Sequence, residues 1–364
     1  TNSMLFGLVL SFLSFFLPDS STHQLIVGSY TQSGNPGLEI FDVNIANGHS
    51  KKAYELLNPS ASYQHLSKDG KLLFSVTEEA GGKAAVSSYR RKANGEFERI
   101  SSSQTIGTGP CFVVYREASK TLYTANYFGG SLSVFKTENG KILPVSQHIK
   151  YTGTSVHPTR QNEAHAHMTI LSPDQNYLFV TDLGTDKIYR HKILADGTVD
   201  ENFTFTPIPA GQGPRHLTMN AAGTHAYLIN ELKGLVNVFT VKNNELKMVQ
   251  SLVADTTNVP DKGSADIHLS PNGKWLISSN RVSSNQVTVF AVQGNGLLKL
   301  VNFTNVGRKP RNFTFDPSGR FVYVACQDDH KVQIFAFNNK TGALTDTHQD
   351  IAVKAPVCLH FIEK

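Results

Sequence analysis

Apolar and polar residues alternate over short runs along almost the whole chain, and Gly, Asn, Asp or Ser interrupts each run. No stretch sustains the period of an amphipathic helix. Residues 213–239, GPRHLTMNAAGTHAYLINELKGLVNVF, show the unit most clearly. A strand over 215–219 is expected to be followed by a tight turn over 220–223, a second strand over 225–230, a polar break and a third strand over 235–240. Three consecutive antiparallel strands form a meander, which cannot bury both of its faces alone.

The same unit recurs. With Asn230 at the end of the second strand as landmark, the equivalents are Ser29, Thr77, Asn126, Asp182, Asn280 and Cys326, with spacings of 48, 49, 56, 48, 50 and 46 residues. Most copies carry a turn seven residues before the landmark, as at SKDG, SPDQ, NAAG, SPNG and DPSG. Gly and Asx there supply the backbone conformations that tight hairpins need. A further β-rich run follows each landmark, and most copies add a weaker fourth. Seven repeats of four antiparallel strands predict an all-β, seven-bladed β-propeller. The first copy lacks an opening strand, whereas the chain ends in an orphan strand, APVCLHFIEK. That strand is expected to enter the first blade and close the ring, leaving no open edge.

Composition agrees with one large β domain: 40% hydrophobic and only 17% charged residues, with 28 glycines. Residues 4–17, MLFGLVLSFLSFFL, are apolar throughout and resemble the hydrophobic region of an export signal. The chain therefore divides into residues 1–23, a signal or apolar N-terminal segment, and residues 24–364, the propeller. A secreted or periplasmic monomer follows, with no stable membrane insertion once the signal is removed; a cytoplasmic location is the alternative. A formal net charge of +5 is spread in single residues and short doublets, which argues against nucleic acid as a partner and suits a small anionic ligand. Cys111, Cys326 and Cys358 have no metal-ligand spacing, and no cofactor or metal is expected.

In a propeller the innermost strand of each blade begins, and the second strand ends, at the same face. Their end residues should ring the mouth of the central channel. First-strand starts are Ser62, Cys111, His167, Arg215, Ala265 and Arg311, with Val357 from the closing strand; the residues after the landmarks are Tyr30, Glu78, Tyr127, Leu183, Glu231, Arg281 and Gln327. Small or apolar residues would suffice as filler. His167, Arg215, Glu231, Arg281 and Arg311 are instead costly to desolvate together, and they point to an anion pocket with an acid/base group. Inter-blade ion pairing is the simpler reading of the same residues. Tyr127 and Gln327 complete the expected substrate-binding set. His65, His216 and His268 share a repeat position and read as hydrogen-bonded core histidines between blades, not as catalysts.

The segments EAHAHMTILSPDQNYLFVTDLGTDKIY, GPRHLTMNAAGTHAYLINEL, SADIHLSPNGKWLISSNR and KPRNFTFDPSGRFVYVACQ resemble consecutive blades of the lactonase family with a seven-bladed propeller. That family includes propeller-type 6-phosphogluconolactonases and the fungal 3-carboxy-cis,cis-muconate lactonising enzymes. The likeness runs over residues 25–361. It implies a metal-free lactone hydrolase with His167, Arg215, Glu231 and Arg281 as site residues. In this reading Arg215 and Arg281 bind the substrate anion and the developing oxyanion, Glu231 orients or deprotonates water, and His167 binds substrate or protonates the leaving oxygen. A lactonising cycloisomerase and a non-catalytic binding or scaffold propeller are the alternatives. The approach to the HAH motif reads RQNEAHAH from Arg160, where the family usually has RQEGPHAH.

Overall fold

The computed structural model describes residues 22–31 and 34–362. The expected export segment, residues 4–17, lies outside the described residues. Seven antiparallel sheets follow one another in sequence order. Six have four strands. The seventh has five because its outermost strand is split between Leu344–Asp346 and Ile351–Ala352. Among the described residues the only helical elements are three-residue 3-10 turns, such as Gln327–Asp329.

Ring closure is visible residue by residue. Pro356–Ile362 runs antiparallel to Thr22–Ser29, pairing Gln24 with Ile362, Ile26 with His360 and Gly28 with Cys358. The last strand is thus the innermost strand of blade one, and it removes an edge that would otherwise template association.

Local sequence explains the hairpins. In blade two the Ser67 hydroxyl donates to Asp69 Oδ1 at 2.7 Å, and the same oxygen accepts from the Lys71 amide at 3.0 Å. Ser172 with Asp174 and Ser270 with Asn272 repeat the arrangement in blades four and six. The turn ends in a left-handed residue, Gly70 at φ +66° or Gln175 at φ +58°. Glycine is the low-strain choice there because it has no Cβ.

The core is divided between blades. Seven buried clusters each bridge one pair of neighbouring sheets. Tyr227, Ile229, Val236 and Val238 of blade five, for example, meet Ile267, Leu276 and Phe290 of blade six. Each sheet is therefore covered on both faces, and the inward rims of the blades are left to line the channel.

Candidate active site

A recurring irregularity shapes the mouth. The innermost strands of blades three to seven each break register near their start: between Pro110 and Phe112, Ala166 and Met168, Pro214 and His216, Ser264 and Ile267, and Pro310 and Asn312. The extra residues are Cys111, His167, Arg215, Ala265 with Asp266, and Arg311. A bulge of this kind twists the strand and re-aims a side chain. Simple alternation would send Arg215 and His216 to opposite faces. Instead both line one small cavity with Ser62, Cys111, Arg311 and Asn312.

Glu231 is the hub. Its Oε1 accepts from Arg215 Nε at 3.1 Å and from Arg281 Nη2 at 2.9 Å, and its Oε2 accepts from Arg160 Nη2. Two of these guanidiniums are tied to backbone as well: Arg215 Nη1 donates to the Ala265 carbonyl at 2.6 Å and Arg281 Nε to the Gly263 carbonyl at 3.1 Å. Arg311 stands across the mouth, 3.7 Å from Glu78 and over the Tyr30 ring, while the Tyr30 hydroxyl donates to Glu78 at 2.7 Å. Four guanidiniums face two carboxylates, so the cluster carries an excess of two positive charges.

Electrostatics follow from that balance. Burial pushes the Glu231 carboxyl up, but Arg281, Arg160 and Arg215 outweigh it and hold the pKa down to about 2. Burial, reinforced by Arg281 and Arg311, lowers the Arg215 pKa, yet guanidinium starts high enough to stay protonated. His167 is driven well below its ordinary range, first by burial and then by Arg215, His216, Arg311 and Arg281. It is a neutral imidazole at physiological pH. The neighbouring Cys111 thiol, 3.7 Å from His167 Nδ1, is pushed up by burial and stays protonated.

Tyr127 forms a wall. Its hydroxyl accepts from Arg160 at 3.0 Å, its ring stacks on His165 at 4.5 Å, and His167 meets it edge-on at 5.4 Å. His165 turns away from His167, with its Nδ1 3.0 Å from the Tyr127 carbonyl oxygen. Gln327 takes the same rim position as Glu231 and Arg281, its backbone amide bonded to the Lys309 carbonyl as theirs are to Gly213 and Gly263, but the ion pairs described above do not include its side chain. As expected, His216 is a hydrogen-bonded group between blades: it reaches from blade five to Asp266 of blade six, a carboxylate that His268 shares from its own blade. His216 Nδ1 and His268 Nε2 flank Asp266 at 2.9 and 2.8 Å, and all three line a cavity of about 110 Å³ with residues from the innermost strands of several blades.

Arg160 is the residue that sequence reasoning missed. It rides on residues 151–165, which link blades three and four and produce the longest repeat spacing, 56 residues. That spacing was the available signal. The link lies against blades three and four at two glycines: a Cβ on Gly130 would fall 2.4 Å from the Ala164 carbonyl oxygen, and one on Gly184 only 1.8 Å from that of Glu163. Glu78 and Tyr30, present in the expected ring but assigned no role, turn out to partner Arg311.

Comparison with known proteins places this geometry in context. A family model described as lactonase, 7-bladed beta-propeller, matches residues 24–361. A 6-phosphogluconolactonase of Formosa agariphila is 33% identical over 343 residues, covering 90% of this chain and 96% of that protein. The 6-phosphogluconolactonase of Bacillus subtilis is 31% identical over 350 residues, covering 93% and 98%. The crystal structure of the periplasmic gluconolactonase of Pseudomonas aeruginosa superposes with a TM-score of 0.89 at 33% identity, covering 94% of this chain and 99% of that one. The chain belongs to the lactonase family of seven-bladed β-propellers.

Proposed function

We propose that the protein hydrolyses an anionic sugar-acid lactone, with 6-phosphogluconolactone as the leading candidate, at the mouth ringed by Glu231, His167 and four arginines. The observation that carries the reading is a buried carboxylate held by three guanidiniums inside a cluster of excess positive charge. Such a mouth attracts an anion and stabilises the negative charge that develops on the lactone carbonyl oxygen when water adds. The full-length similarity to two 6-phosphogluconolactonases supports the same substrate class.

The roles follow from the chemistry of each group. Arg215 uses Nε and Nη1 in its recorded bonds, and Arg281 uses Nε and Nη2. Each guanidinium has five N–H donors in a fixed fork, so Nη2 of Arg215 and Nη1 of Arg281 remain to meet an oxyanion. Removing one such donor from an oxyanion site typically costs about 10²- to 10³-fold in rate. Glu231, held to about pKa 2, is a weak base and serves chiefly to orient the attacking water. His167, neutral and buried beside Arg215, hydrogen-bonds the ring oxygen and passes it a proton taken from the attacking water as the acyl C–O bond breaks. Export to the periplasm accords with the apolar run at residues 4–17 and with the periplasmic gluconolactonase relative.

The test is hydrolysis of 6-phosphogluconolactone by the wild type, corrected for spontaneous opening. A clear enzymatic excess, inhibited competitively by 6-phosphogluconate, is expected. No excess on this lactone or on glucono-δ-lactone would remove the reading.

A further inference from the structure

Among the four arginines at the mouth, Arg160 differs from the rest. Its side chain is 37% exposed, against 1% for Arg215 and 13% each for Arg281 and Arg311. Arg215 and Arg281 are each also fixed to a backbone carbonyl, and Arg311 is held by Glu78 and the Tyr30 ring. The recorded side-chain partners of Arg160 are Glu231 and the Tyr127 hydroxyl, both inside the site.

Its backbone, by contrast, is anchored. The Arg160 amide donates to His157 Nδ1 at 3.0 Å, leaving His157 Nε2 to reach Asp261 at 2.9 Å on the connection between blades five and six. Gln161 Nε2 donates to the Leu183 carbonyl at 2.9 Å, and Ser155 is hydrogen-bonded to Asp186. The link is thus a strap pinned across the mouth, and it carries a long cationic side chain whose root is fixed to the backbone and whose head is held through Glu231 and Tyr127.

The position of that head has a chemical consequence. Both Glu231 oxygens are occupied, and Oε2 is occupied by Arg160. A carboxylate with both oxygens engaged has poor access to a water molecule. An incoming dianion offers Arg160 a second partner, because phosphate accepts a guanidinium fork as readily as a carboxylate does. A phosphate monoester carries about −1.5 to −2 charges at neutral pH, close to the excess of two positive charges at the mouth.

We propose that Arg160 is the residue that reads the anionic substituent of the substrate: it leaves Glu231 Oε2 for the phosphate and so frees that oxygen to hold the attacking water. The inference rests on the hydrolase reading above and deepens it. A phosphorylated lactone would make its own site competent, whereas an unphosphorylated lactone would leave Arg160 on Glu231.

Arg160→Gln in the full chain tests this, since the side chain is partly exposed and its bonds run to Glu231 and the Tyr127 hydroxyl alone among the described residues. The expected result is a fall of at least tenfold in the ratio of kcat/KM for 6-phosphogluconolactone to that for glucono-δ-lactone. The acidic limb of the pH-rate profile should also move to higher pH, because Glu231 loses one of three cations. An unchanged ratio would overturn the proposal, as would an unshifted profile. Calorimetric titration with inorganic phosphate separates failure of the inference from failure of the hydrolase reading. If the wild type opens neither lactone, phosphate affinity that drops in Arg160→Gln still supports the anion-reading role, and equal affinity for the two proteins refutes it.

Discussion

Replacing Glu231 by Gln should destabilise the propeller in a way that depends on pH. The three guanidiniums hold the carboxyl pKa near 2, against an ordinary value of about 4.3. A carboxyl held that low corresponds to ~3 kcal/mol of stability at neutral pH. Because the folded-state pKa lies below the unfolded one, that stability is fully present above about pH 4.3 and disappears as pH falls toward 2. Gln keeps the volume and one acceptor, but Arg215, almost wholly buried, loses its counter-ion. Urea denaturation at pH 7 should show the variant less stable by about 3 kcal/mol, and the gap should narrow to about 2 kcal/mol at pH 3.5. A gap that is the same at both pH values would refute the electrostatic argument. A variant more stable than wild type at pH 7 would show that desolvating the arginines costs more than the carboxylate returns.

Other expectations follow from single contacts. Asp266→Asn removes the charge that His216 and His268 both address and to which Asn312 donates at 2.7 Å; urea unfolding should show a loss of about 3 kcal/mol or more. Gly184→Ala would push a methyl group against the Glu163 carbonyl and lift the strap; KM for 6-phosphogluconolactone should rise while the far-ultraviolet spectrum stays that of the wild type. Deleting residues 356–364 would expose the edge of Thr22–Ser29 and open the cluster that Leu359 shares with Leu25 and Val27; gel filtration should show association, and thermal unfolding should broaden.

The blade count and ring closure were legible in the sequence because both are written in periodic features: landmark spacing, Gly and Asx turns and a displaced final strand. The repeat also marked Arg215, Glu231, Arg281 and Arg311 as neighbours, since each occupies an equivalent rim position. What alternation could not reveal was the bulge at each strand start. One extra residue reverses the parity of the strand start relative to the rest, and this is how Arg215 and His216, consecutive in sequence, both come to line one cavity. Arg160 was hidden for a different reason. It lies outside the repeat, on a connecting strap whose path is set by long-range contacts such as His157 with Asp261. Gln327 shows the converse limit, because an equivalent repeat position and the same backbone bond put it at the rim, yet its side chain takes no part in the ion pairs of the cluster.

The central claim is that lactone opening depends on the carboxylate at the channel mouth. Its most direct test is kcat for 6-phosphogluconolactone in the wild type and in Glu231→Gln, each corrected for spontaneous hydrolysis and measured on protein shown to be folded. Loss of a positioned water-orienting group predicts a fall of about 10²- to 10⁴-fold, with 6-phosphogluconate still bound by the four arginines. Turnover by the variant within a fewfold of wild type would contradict the account and move the chemistry away from Glu231.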